Sequence, residues 1–257
     1  MLFNSLEFIV FLLAVFSLYW SFGKYLKVQN LLLLVASYVF YGWWDYRFLS
    51  LIFVSTLVDY YVGQKIYEAT EKKKRKGWLA VSCIFNLGLL GFFKYYNFFI
   101  SSWIEAFDFL EMSADNWTIN VILPVGISFY TFQTMSYSID IYRKQLTPTK
   151  DFISFAAFVG FFPQLVAGPI ERATNLIPQI LKPRKFSFDQ ASDGLRLIVW
   201  GLFKKIVIAD NLAVVVNDIF LNYSEFSGGT LILGALFFAF QIYCDFSGYS
   251  DIAIGTS

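Results

Sequence analysis

The chain has 257 residues, of which 57% are hydrophobic and 21% aromatic, while only 15% carry a charge. These are too few polar side chains to cover a water-soluble globule of this size, which excludes an ordinary soluble domain. The formal net charge of +1 favours no class of partner, because the distribution of the charges matters more than their sum. The sequence is therefore predicted to be a membrane protein.

Several apolar runs approach the roughly 20 residues that a helix needs to cross a bilayer. They are Phe8–Gly23, Val28–Trp44, Phe48–Gln64, Gly77–Phe93, Val121–Ile139, Phe152–Ile170 and Phe226–Cys244. The first run follows Glu7 and lacks a small-x-small cleavage pattern, so we predict a retained helix and no signal peptide. The predicted fold is an all-α, polytopic transmembrane helical bundle with re-entrant or interfacial helices, in which residues 1–257 form a single membrane domain.

Basic residues cluster in some connections and are nearly absent from others, which is the signal that orients membrane helices. Lys24 and Lys27 follow the first run, and the basic segment Lys72–Lys76 follows the third. Both connections are predicted to face the cytoplasm, and anionic lipid explains the second better than nucleic acid does. The N-terminus, the 45–47 loop and the acidic segment Glu105–Asn120 are then predicted to lie outside.

The run Phe152–Ile170 is predicted to enter and leave the membrane on the same side. Its interior Pro163 and Gly168–Pro169 pair would interrupt a continuous helix. Such irregular backbone survives at membrane depth only where it is buried in protein or lines a wet cavity. Basic residues flank the run on both sides: Arg143, Lys144 and Lys150 before it, and Arg172, Lys182, Arg184 and Lys185 after it.

The stretch "GLRLIVWGLFKKIVIAD" has a helical period, although Lys204 and Lys205 lie in its middle. Arg196, Trp200 and Lys204 are four residues apart and share one helix face. An interfacial helix and a true span both fit this pattern. The next segment, Asn211–Glu225, has no Lys or Arg, which favours a crossing, and the two interpretations stay open.

Polar groups interrupt the apolar sequence in two internal segments. In "PVGISFYTFQTMSYSIDIYRK" the hydroxyl and amide side chains are of the kind that tie membrane helices together. Asp140 and Arg143 in this segment are spaced to form an ion pair. The segment "FFPQLVAGPIER" carries Gln164 and closes on Glu171 and Arg172. It is either a loop that presents polar groups within the membrane or a surface turn with snorkelling charges.

A third polar segment, "QIYCDFSGYSDIAIGTS", follows the last apolar run. Asp245 is predicted to end that helix, Ser247–Gly248 to form a turn, and Ser250 or Asp251 to cap a further helix. Capping alone would explain these residues. Carboxylates at membrane depth are costly, however, and therefore also indicate a functional site.

The remaining candidate groups are less informative. Asp59 and Lys94 interrupt apolar runs, and snorkelling to the membrane surface accounts for both. Cys83 and Cys244 lie within apolar runs and are predicted to be buried thiols. The sequence contains no histidine, which excludes a Ser/His/Asp triad, a Cys/His dyad and a histidine metal ligand built from these residues.

Several motifs along the chain resemble those of bacterial membrane-bound O-acyltransferases. They are "SYVFYGWWD", "LGLLGFFKYYNFF", "LPVGISFYTFQTMSYSIDIYR", "FFPQLVAGPIER", "GLFKKIVIADNLA" and "QIYCDFSGYSDIAIG". The resemblance extends over essentially the whole chain and is strongest to the branch that contains the membrane subunit of alginate O-acetyltransferase. It implies a ring of membrane helices around a thinner centre, in the bacterial inner (cytoplasmic) membrane. The chain would correspond to roughly the N-terminal half of this fold.

The resemblance also implies a chemistry. An acyl group, usually acetyl from acetyl-CoA, enters from the cytoplasmic side and passes to a hydroxyl of an extracytoplasmic polysaccharide, with the help of an extracytoplasmic partner protein. The acyl-CoA is a donor substrate, and no bound cofactor or metal is expected. The basic segment around Phe152–Ile170 is a candidate cytoplasmic site for such a polyanionic donor.

The family's catalytic base is a central histidine downstream of the "DFSGYSD" motif, whereas this chain has no histidine. We therefore expect no catalytic residue in this chain, and no activity from the chain alone. Supporting roles at a substrate tunnel are expected for a set of polar residues: Gln164, Glu171, Arg172, Gln241, Asp245, Tyr249, Ser250 and Asp251.

Two other classes of function remain as alternatives. Broken helices with polar residues at membrane depth also occur in transporters and channels, although no inverted repeat is visible between the two halves of this sequence. A scaffold that docks partner proteins is the second alternative.

Overall fold

The computed structural model describes Met1, residues 3–109, residues 121–165, Gly168 and residues 171–257. These residues form helices and connections without any strand, which confirms the all-α prediction. The α-helices are α1 Leu6–Ser21, α2 Leu26–Asp45, α3 Leu49–Glu68, α4 Lys72–Phe109, α5 Ile127–Tyr142, α6 Phe152–Val159, α7 Phe162–Leu165, α8 Ala173–Leu181, α9 Phe188–Leu202, α10 Asp210–Leu221 and α11 Gly228–Thr256. A 3₁₀ turn, Tyr46–Phe48, precedes α3, and a π-helix, Phe203–Ala209, joins α9 to α10.

The helices divide into two compact units. The terminal unit comprises Met1–Trp44, Phe161–Pro169 and Lys182–Ser257, and the central unit comprises Asp45–Gly160 and Ile170–Leu181. The predicted outer positions of Glu111 and Asp115, and the predicted break at Pro169, lie outside the described residues.

Two helices of the described part are long and apolar enough to cross a membrane, over Lys72–Glu105 and Gly228–Thr256. Their apolar side chains are mostly exposed, as Ile232 at 67% and Phe240 at 60% illustrate. The core helix of a soluble protein would bury such residues, and exposed apolar faces of this extent require an apolar surrounding. These helices therefore agree with the prediction of a membrane protein.

Several predicted runs differ from the observed helices at their ends, among them the last one, which becomes α11 and continues to Thr256. The run predicted from Gly77 belongs to α4, which already begins within the basic residues at Lys72 and continues to Phe109. The run predicted from Val121 becomes helical only at Ile127. Gly126 precedes α5 with a φ of 75°, a left-handed conformation that glycine adopts without strain, so the chain turns sharply before the helix begins.

The proline-containing run Phe152–Ile170 was predicted to be interrupted, and it is interrupted within its described residues, although before Pro163 and not at it. Helix α6 ends at Val159 and α7 begins at Phe162, so the interruption falls at Gly160–Phe161. Pro163 lies in the first turn of α7, where its missing N–H costs no hydrogen bond. With eight residues, α6 spans only about 12 Å, less than half of the hydrocarbon layer.

In the central unit, α3 packs against α4, α5 and α6. Gly63 of α3 leaves room for an aromatic ring of α5, because a Cβ at this position would lie 2.7 Å from the ring of Tyr137. That ring packs on Phe155 of α6 with centroids 4.5 Å apart. The Gln133 amide donates a hydrogen bond to the Phe158 carbonyl oxygen (2.8 Å), which ties α5 to α6.

Arg75, in the first turn of α4, joins the C-terminal ends of α3 and α5. Its guanidinium donates hydrogen bonds to the carbonyl oxygens of Ile66 (3.3 Å), Ile141 (3.3 Å) and Tyr142 (2.5 Å). Positive charge at a helix C-terminus is favourable, because the last carbonyl groups of a helix lack the N–H partners that interior ones have. The Ile141 carbonyl also accepts the Lys144 N–H (3.0 Å). Arg75 is therefore a structural residue, unlike the exposed lysines of the Lys72–Lys76 segment.

Replacing Arg75 by Leu is expected to lower the free energy of unfolding by about 1.5–3 kcal/mol, because helix-end carbonyls lose a charged donor. The matched control is Lys73→Leu in the same turn, where the side chain is exposed and a change within about 0.5 kcal/mol is expected. Denaturant unfolding in detergent, followed by circular dichroism, measures both. Equal losses in the two variants would contradict this role of Arg75.

In the terminal unit, a cluster of aromatic and aliphatic side chains joins α1, α2, α7 and α11. Phe11 of α1 meets Phe162 of α7 edge to face with ring centroids 5.3 Å apart. The Phe162 backbone N–H donates a hydrogen bond to the Ser37 hydroxyl of α2 (3.2 Å), which holds the first turn of α7 in place. The buried members of the cluster are Phe3, Phe8, Phe40, Phe162, Ile252 and Ala253.

The basic connection between α8 and α9, residues 182–187, contacts the end of α1 and the start of α2. The Arg184 guanidinium donates a hydrogen bond to the Asn30 side-chain oxygen (2.8 Å) and lies 5.6 Å from the Tyr19 ring centroid. Phe186 packs edge to face on Trp20. The basic segment at 182–185 therefore lies beside Lys24 of the α1–α2 connection and Lys27 in the first turn of α2.

Candidate functional site

Helices α9 and α11 of the terminal unit approach each other closely along two pairs of glycines. A Cβ on Gly201 would lie 2.6 Å from the Gly248 carbonyl oxygen, and one on Gly194 would lie 2.6 Å from the Gly255 carbonyl oxygen. The glycines of each helix are seven residues apart, which is two helical turns. Small residues at such spacing let two membrane helices pack backbone to backbone.

The "DFSGYSD" motif lies within α11, which is continuous from Gly228 to Thr256. The predicted turn at Ser247–Gly248 and the predicted caps at Ser250 and Asp251 are therefore wrong. Gly248 serves close packing against α9, while the N-terminus of α11 is capped earlier by Ser227, whose hydroxyl accepts a hydrogen bond from the Thr230 N–H (3.3 Å).

A π-helix places two adjacent lysines against this motif. Over Phe203–Ala209 the helical ladder widens, and the Asp210 N–H bonds to the carbonyl of Lys205, five residues earlier. Such π segments are rare and often mark functional sites. Because of the widened turn, both Lys204 and Lys205 bond to side chains of α11.

Lys204 is buried, with 8% of its surface exposed. Its ammonium group lies 2.6 Å from the Asp251 carboxylate and donates a hydrogen bond to the Ser247 hydroxyl (2.5 Å). A buried ammonium would be costly without such partners, so this pair stabilises one particular alignment of α11 on the π-helix.

Lys205 bridges two carboxylates. Its ammonium group lies 2.5 Å from Asp245 and 2.8 Å from Asp210, at the start of α10. The same group lies 5.2 Å from the centroid of the Tyr249 ring, within the range of a cation–π contact. Tyr249 in turn packs on Phe3, which connects the charged residues to the aromatic cluster.

We call Lys204, Lys205, Asp210, Asp245 and Asp251 the charged cluster. Two ammonium groups face three carboxylates, so the cluster carries one net negative charge when all five groups are ionised. It is unsuited to bind a phosphate or another polyanion, because such a ligand would meet the excess carboxylate. The geometry instead fixes Asp245, Tyr249 and Asp251 in position on α11.

Three more of the predicted site residues lie in the terminal unit. Gln241 is one turn before Asp245 on α11, and its side-chain oxygen is buried without a hydrogen-bond partner. Gln164, in α7, is 9% exposed, and its side-chain oxygen is likewise buried without a hydrogen-bond partner among the described residues. Ser250 lies between Tyr249 and Asp251 and is half-buried. Two buried acceptor oxygens thus lack a protein donor within the described residues.

Glu171 and Arg172 belong to the central unit and precede α8. The Glu171 carboxylate accepts a hydrogen bond from the Asn175 side-chain amide (2.7 Å). The Arg172 carbonyl accepts the N–H groups of Asn175 and Leu176, which starts the helix, while the Arg172 side chain is exposed. Local helix initiation accounts for these contacts.

Two expectations about charged residues of the central unit are wrong. Asp140 is 6% exposed and forms no ion pair with the exposed Arg143, although both residues belong to the described chain. Asp59 does not snorkel to a surface, because it is fully buried among polar side chains. Lys94, in contrast, is exposed as expected.

Sequence reasoning also missed the partners of the aspartates. The signal for the charged cluster was present as a lysine doublet in one apolar helix and spaced aspartates in another. Asp210 gives no such signal, because an acidic residue in the first turn of a helix such as α10 is common. The seven-residue glycine spacings in α9 and α11 were likewise available from the sequence.

No protein-family model matches the chain. Curated relatives nevertheless cover nearly all of it. The Pseudomonas aeruginosa protein named "probable alginate O-acetylase AlgI" is 41% identical over 257 residues, which are 99% of this chain and 48% of the relative. The protein of the same name from Pseudomonas putida is 42% identical, with 99% of this chain and 52% of the relative aligned.

A relative with another named acceptor also aligns over the whole chain. The peptidoglycan O-acetyltransferase of Helicobacter pylori is 34% identical over 289 aligned positions, covering 99% of this chain and 53% of the relative. The chain thus spans about half the length of the curated relatives it matches. These relationships and the two long apolar helices identify it as a membrane protein.

Proposed function

Because the chain belongs to the membrane-bound O-acyltransferase family, in the branch of the alginate O-acetylases, we propose that its protein transfers an acetyl group to a polysaccharide hydroxyl. The observation that carries this proposal is the near-complete coverage of the chain by relatives that are named for O-acetyl transfer. The acceptors in those names are alginate and peptidoglycan, and we propose an extracytoplasmic polysaccharide as the acceptor class here.

The proposed setting is the bacterial inner membrane, with a polytopic bundle, a re-entrant segment around α6 and α7, and an N-terminus outside. We propose that the 257 residues form one membrane domain, the N-terminal half of the family's fold. The basic connections support this orientation. In the central unit, Arg75 holds the start of α4 at the C-terminal end of α5, and Arg143 and Lys144 directly follow that end in the sequence. Two basic segments therefore lie at the same end of these helices.

The proposed donor is acetyl-CoA or another acyl thioester supplied from the cytoplasm. In the terminal unit, Lys182 and Lys185 are exposed beside Arg184, at the end of α1 and α2 that also carries Lys24 and Lys27. Exposed ammonium groups at this end suit the phosphates of a CoA-type donor. The charged cluster, with its excess carboxylate, does not suit them, so the donor phosphates and the reaction centre are separate in this proposal. An extracytoplasmic partner protein would assist delivery to the polymer.

The reaction that we propose is a direct acyl transfer. An acceptor hydroxyl attacks the thioester carbonyl, a base removes the hydroxyl proton, and the proton ends on the departing thiolate. The resemblance implies a histidine as this base, and the 257 residues contain none. The chain therefore supplies supporting groups, and we propose that it is inactive alone.

The supporting role of the charged cluster follows from its contacts. Lys204 and Lys205 fix the rotation of α11, and with it the positions of Asp245, Tyr249 and Asp251. Gln164 and Gln241 each hold a buried acceptor oxygen that has no partner among the described residues, which suits an N–H or O–H group of a substrate. We propose that these residues, with Ser250, brace or line the path of the acyl group, and that Glu171 and Arg172 belong to its entrance.

The test uses detergent-solubilised or membrane-embedded protein that includes both halves of the family's fold. Acetyl-CoA labelled in the acetyl group is incubated with this protein and alginate, and the label that mild alkali releases from the polymer is measured. We expect alkali-labile label on the polymer from the complete protein, and none from residues 1–257 alone.

Two results would overturn parts of this proposal. Ester formation by residues 1–257 alone would contradict a base from outside the chain. Movement of a small solute through liposomes that hold the complete protein, without any acyl transfer to several polysaccharides, would support a transporter instead.

A further inference from the structure

A buried polar network holds α3, α4 and α5 of the central unit together. At its centre is Asp59 of α3, which is 0% exposed. One carboxyl oxygen accepts hydrogen bonds from the hydroxyls of Ser82 (2.5 Å) and Ser138 (3.0 Å), and the other accepts one from the Asn86 amide (2.7 Å). The three donors come from α4 and α5, so the carboxyl group is in contact with both neighbouring helices.

A second layer of hydroxyls surrounds this carboxyl group. The Asn86 side-chain oxygen accepts hydrogen bonds from Ser55 of α3 (3.0 Å) and Thr134 of α5 (3.2 Å). This orients the Asn86 amide, because its oxygen faces two donors and its nitrogen must then face Asp59. All members of the network are buried, with exposures of 1% or less.

The network contains no positive charge. Within the described residues, no Lys or Arg forms an ion pair with Asp59. The titratable groups that interact with it are Cys83 of α4 and Tyr137 of α5, which are uncharged when protonated. Arg75, at the start of α4, is bonded to backbone carbonyls instead. An ionised Asp59 would be an uncompensated charge among apolar helices, which is strongly unfavourable.

Either a proton or a small cation could neutralise this carboxylate. A metal ion needs several oxygen ligands, but the Asn86 N–H faces one oxygen of this carboxyl group and repels a cation from that side. Within the described residues, no group of acidic, cysteine or histidine side chains that could hold a metal ion surrounds Asp59. Here the oxygens and the Asn86 nitrogen contact the carboxyl group directly at 2.5–3.0 Å. The direct contacts leave a proton as the neutralising ligand.

We propose that Asp59 is a proton-binding site and that its neutral carboxyl group joins α3, α4 and α5. The proton lies on the oxygen that faces Ser82 and Ser138, because the other oxygen faces the Asn86 N–H. The carboxyl then donates to one serine hydroxyl and accepts from Asn86. That serine redirects its own hydrogen to a carbonyl one turn earlier, as Thr56 does in α3. This site is independent of the proposed acyl transfer.

Infrared spectroscopy of the purified protein, with both halves of the fold present, tests this proposal. Asp59→Asn preserves shape and can donate to the serines while accepting from Asn86. We expect the carbonyl-stretch band of a protonated carboxylic acid in the wild type at neutral pH and its loss in Asp59→Asn, with an unfolding temperature changed by less than about 4 °C. Asp45→Asn is the control, since hydrogen bonding to the Arg47 guanidinium lowers the pKa of Asp45 and keeps it ionised. It should leave the band intact.

Ser138→Ala provides a second variant if Asp59→Asn does not fold. It removes one hydrogen bond to the same carboxyl group and should shift the band. An unchanged acid band in Asp59→Asn, or in Ser138→Ala, would overturn the proposal. So would a wild-type unfolding temperature that rises with sodium or potassium concentration and loses this dependence in Asp59→Asn, because that result would indicate a cation site.

Discussion

Replacing Lys204 by Met is expected to lower the free energy of unfolding by about 3–5 kcal/mol, the cost of breaking a buried ion pair from one side. The methionine side chain fills a similar volume but offers no charge to Asp251, which lies 2.6 Å from the ammonium group and is itself largely buried. Ser247 loses a hydrogen-bond donor in the same change. Denaturant unfolding in detergent measures the loss.

The matched control is Lys74→Met, which removes an ion pair between exposed residues. Lys74 and Glu71 are 2.8 Å apart, but their side chains are 66% and 61% exposed, so a loss of less than about 1 kcal/mol is expected. Combining Lys204→Met with Asp251→Leu removes both charges and should recover much of the stability. A double variant that loses as much as the two single variants together would contradict direct pairing.

The second large effect is expected for Gly201→Ala. The new Cβ would lie 2.6 Å from the Gly248 carbonyl oxygen, which is backbone and cannot turn aside. Helices α9 and α11 must therefore separate, at a cost of about 1–3 kcal/mol. The separation also displaces Lys205 from Asp245, so in the complete protein we expect acetyl transfer to fall along with the stability.

Gly88→Ala is the control for this change. Gly88 also lies within a helix, α4, but beyond its own stretch of that helix no atom of the described residues lies within 4 Å of the Cβ that the substitution would add. Alanine favours a helix over glycine by about 1 kcal/mol, so Gly88→Ala should stabilise the protein slightly. If both variants changed stability in the same direction and by the same amount, close packing at Gly201 would be refuted.

Much of the helical architecture could be predicted from the sequence, because apolar runs of membrane length dominate it. The break near α6 and α7 was also predictable from composition, but its position was not. Proline is tolerated in the first turn of a helix, so Pro163 lies in the first turn of α7, and the break seen in the described residues falls two to three residues earlier, at Gly160–Phe161.

The contacts of the polar residues were less predictable, because they depend on which helices pack together. Ser247, Gly248 and Ser250 are common in turns, yet packing against α9 keeps them within one helix. Asp59 lies only a few residues from the end of its apolar run, a position from which a side chain can reach the membrane surface, so the sequence favoured an exposed carboxylate. Its burial depends on Ser82 and Ser138, which are 23 and 79 residues away in sequence. Local patterns carry no information about such distant partners.

We propose that the complete protein transfers an acetyl group from one side of the membrane to the other, and a measurement of sidedness tests this most directly. Proteoliposomes that contain the complete protein are loaded with labelled acetyl-CoA, with alginate present outside only. We predict alkali-labile label on the external polymer in the vesicles whose protein presents its basic connections to the lumen. If label reaches the polymer only when donor and polymer share one compartment, transmembrane transfer is contradicted.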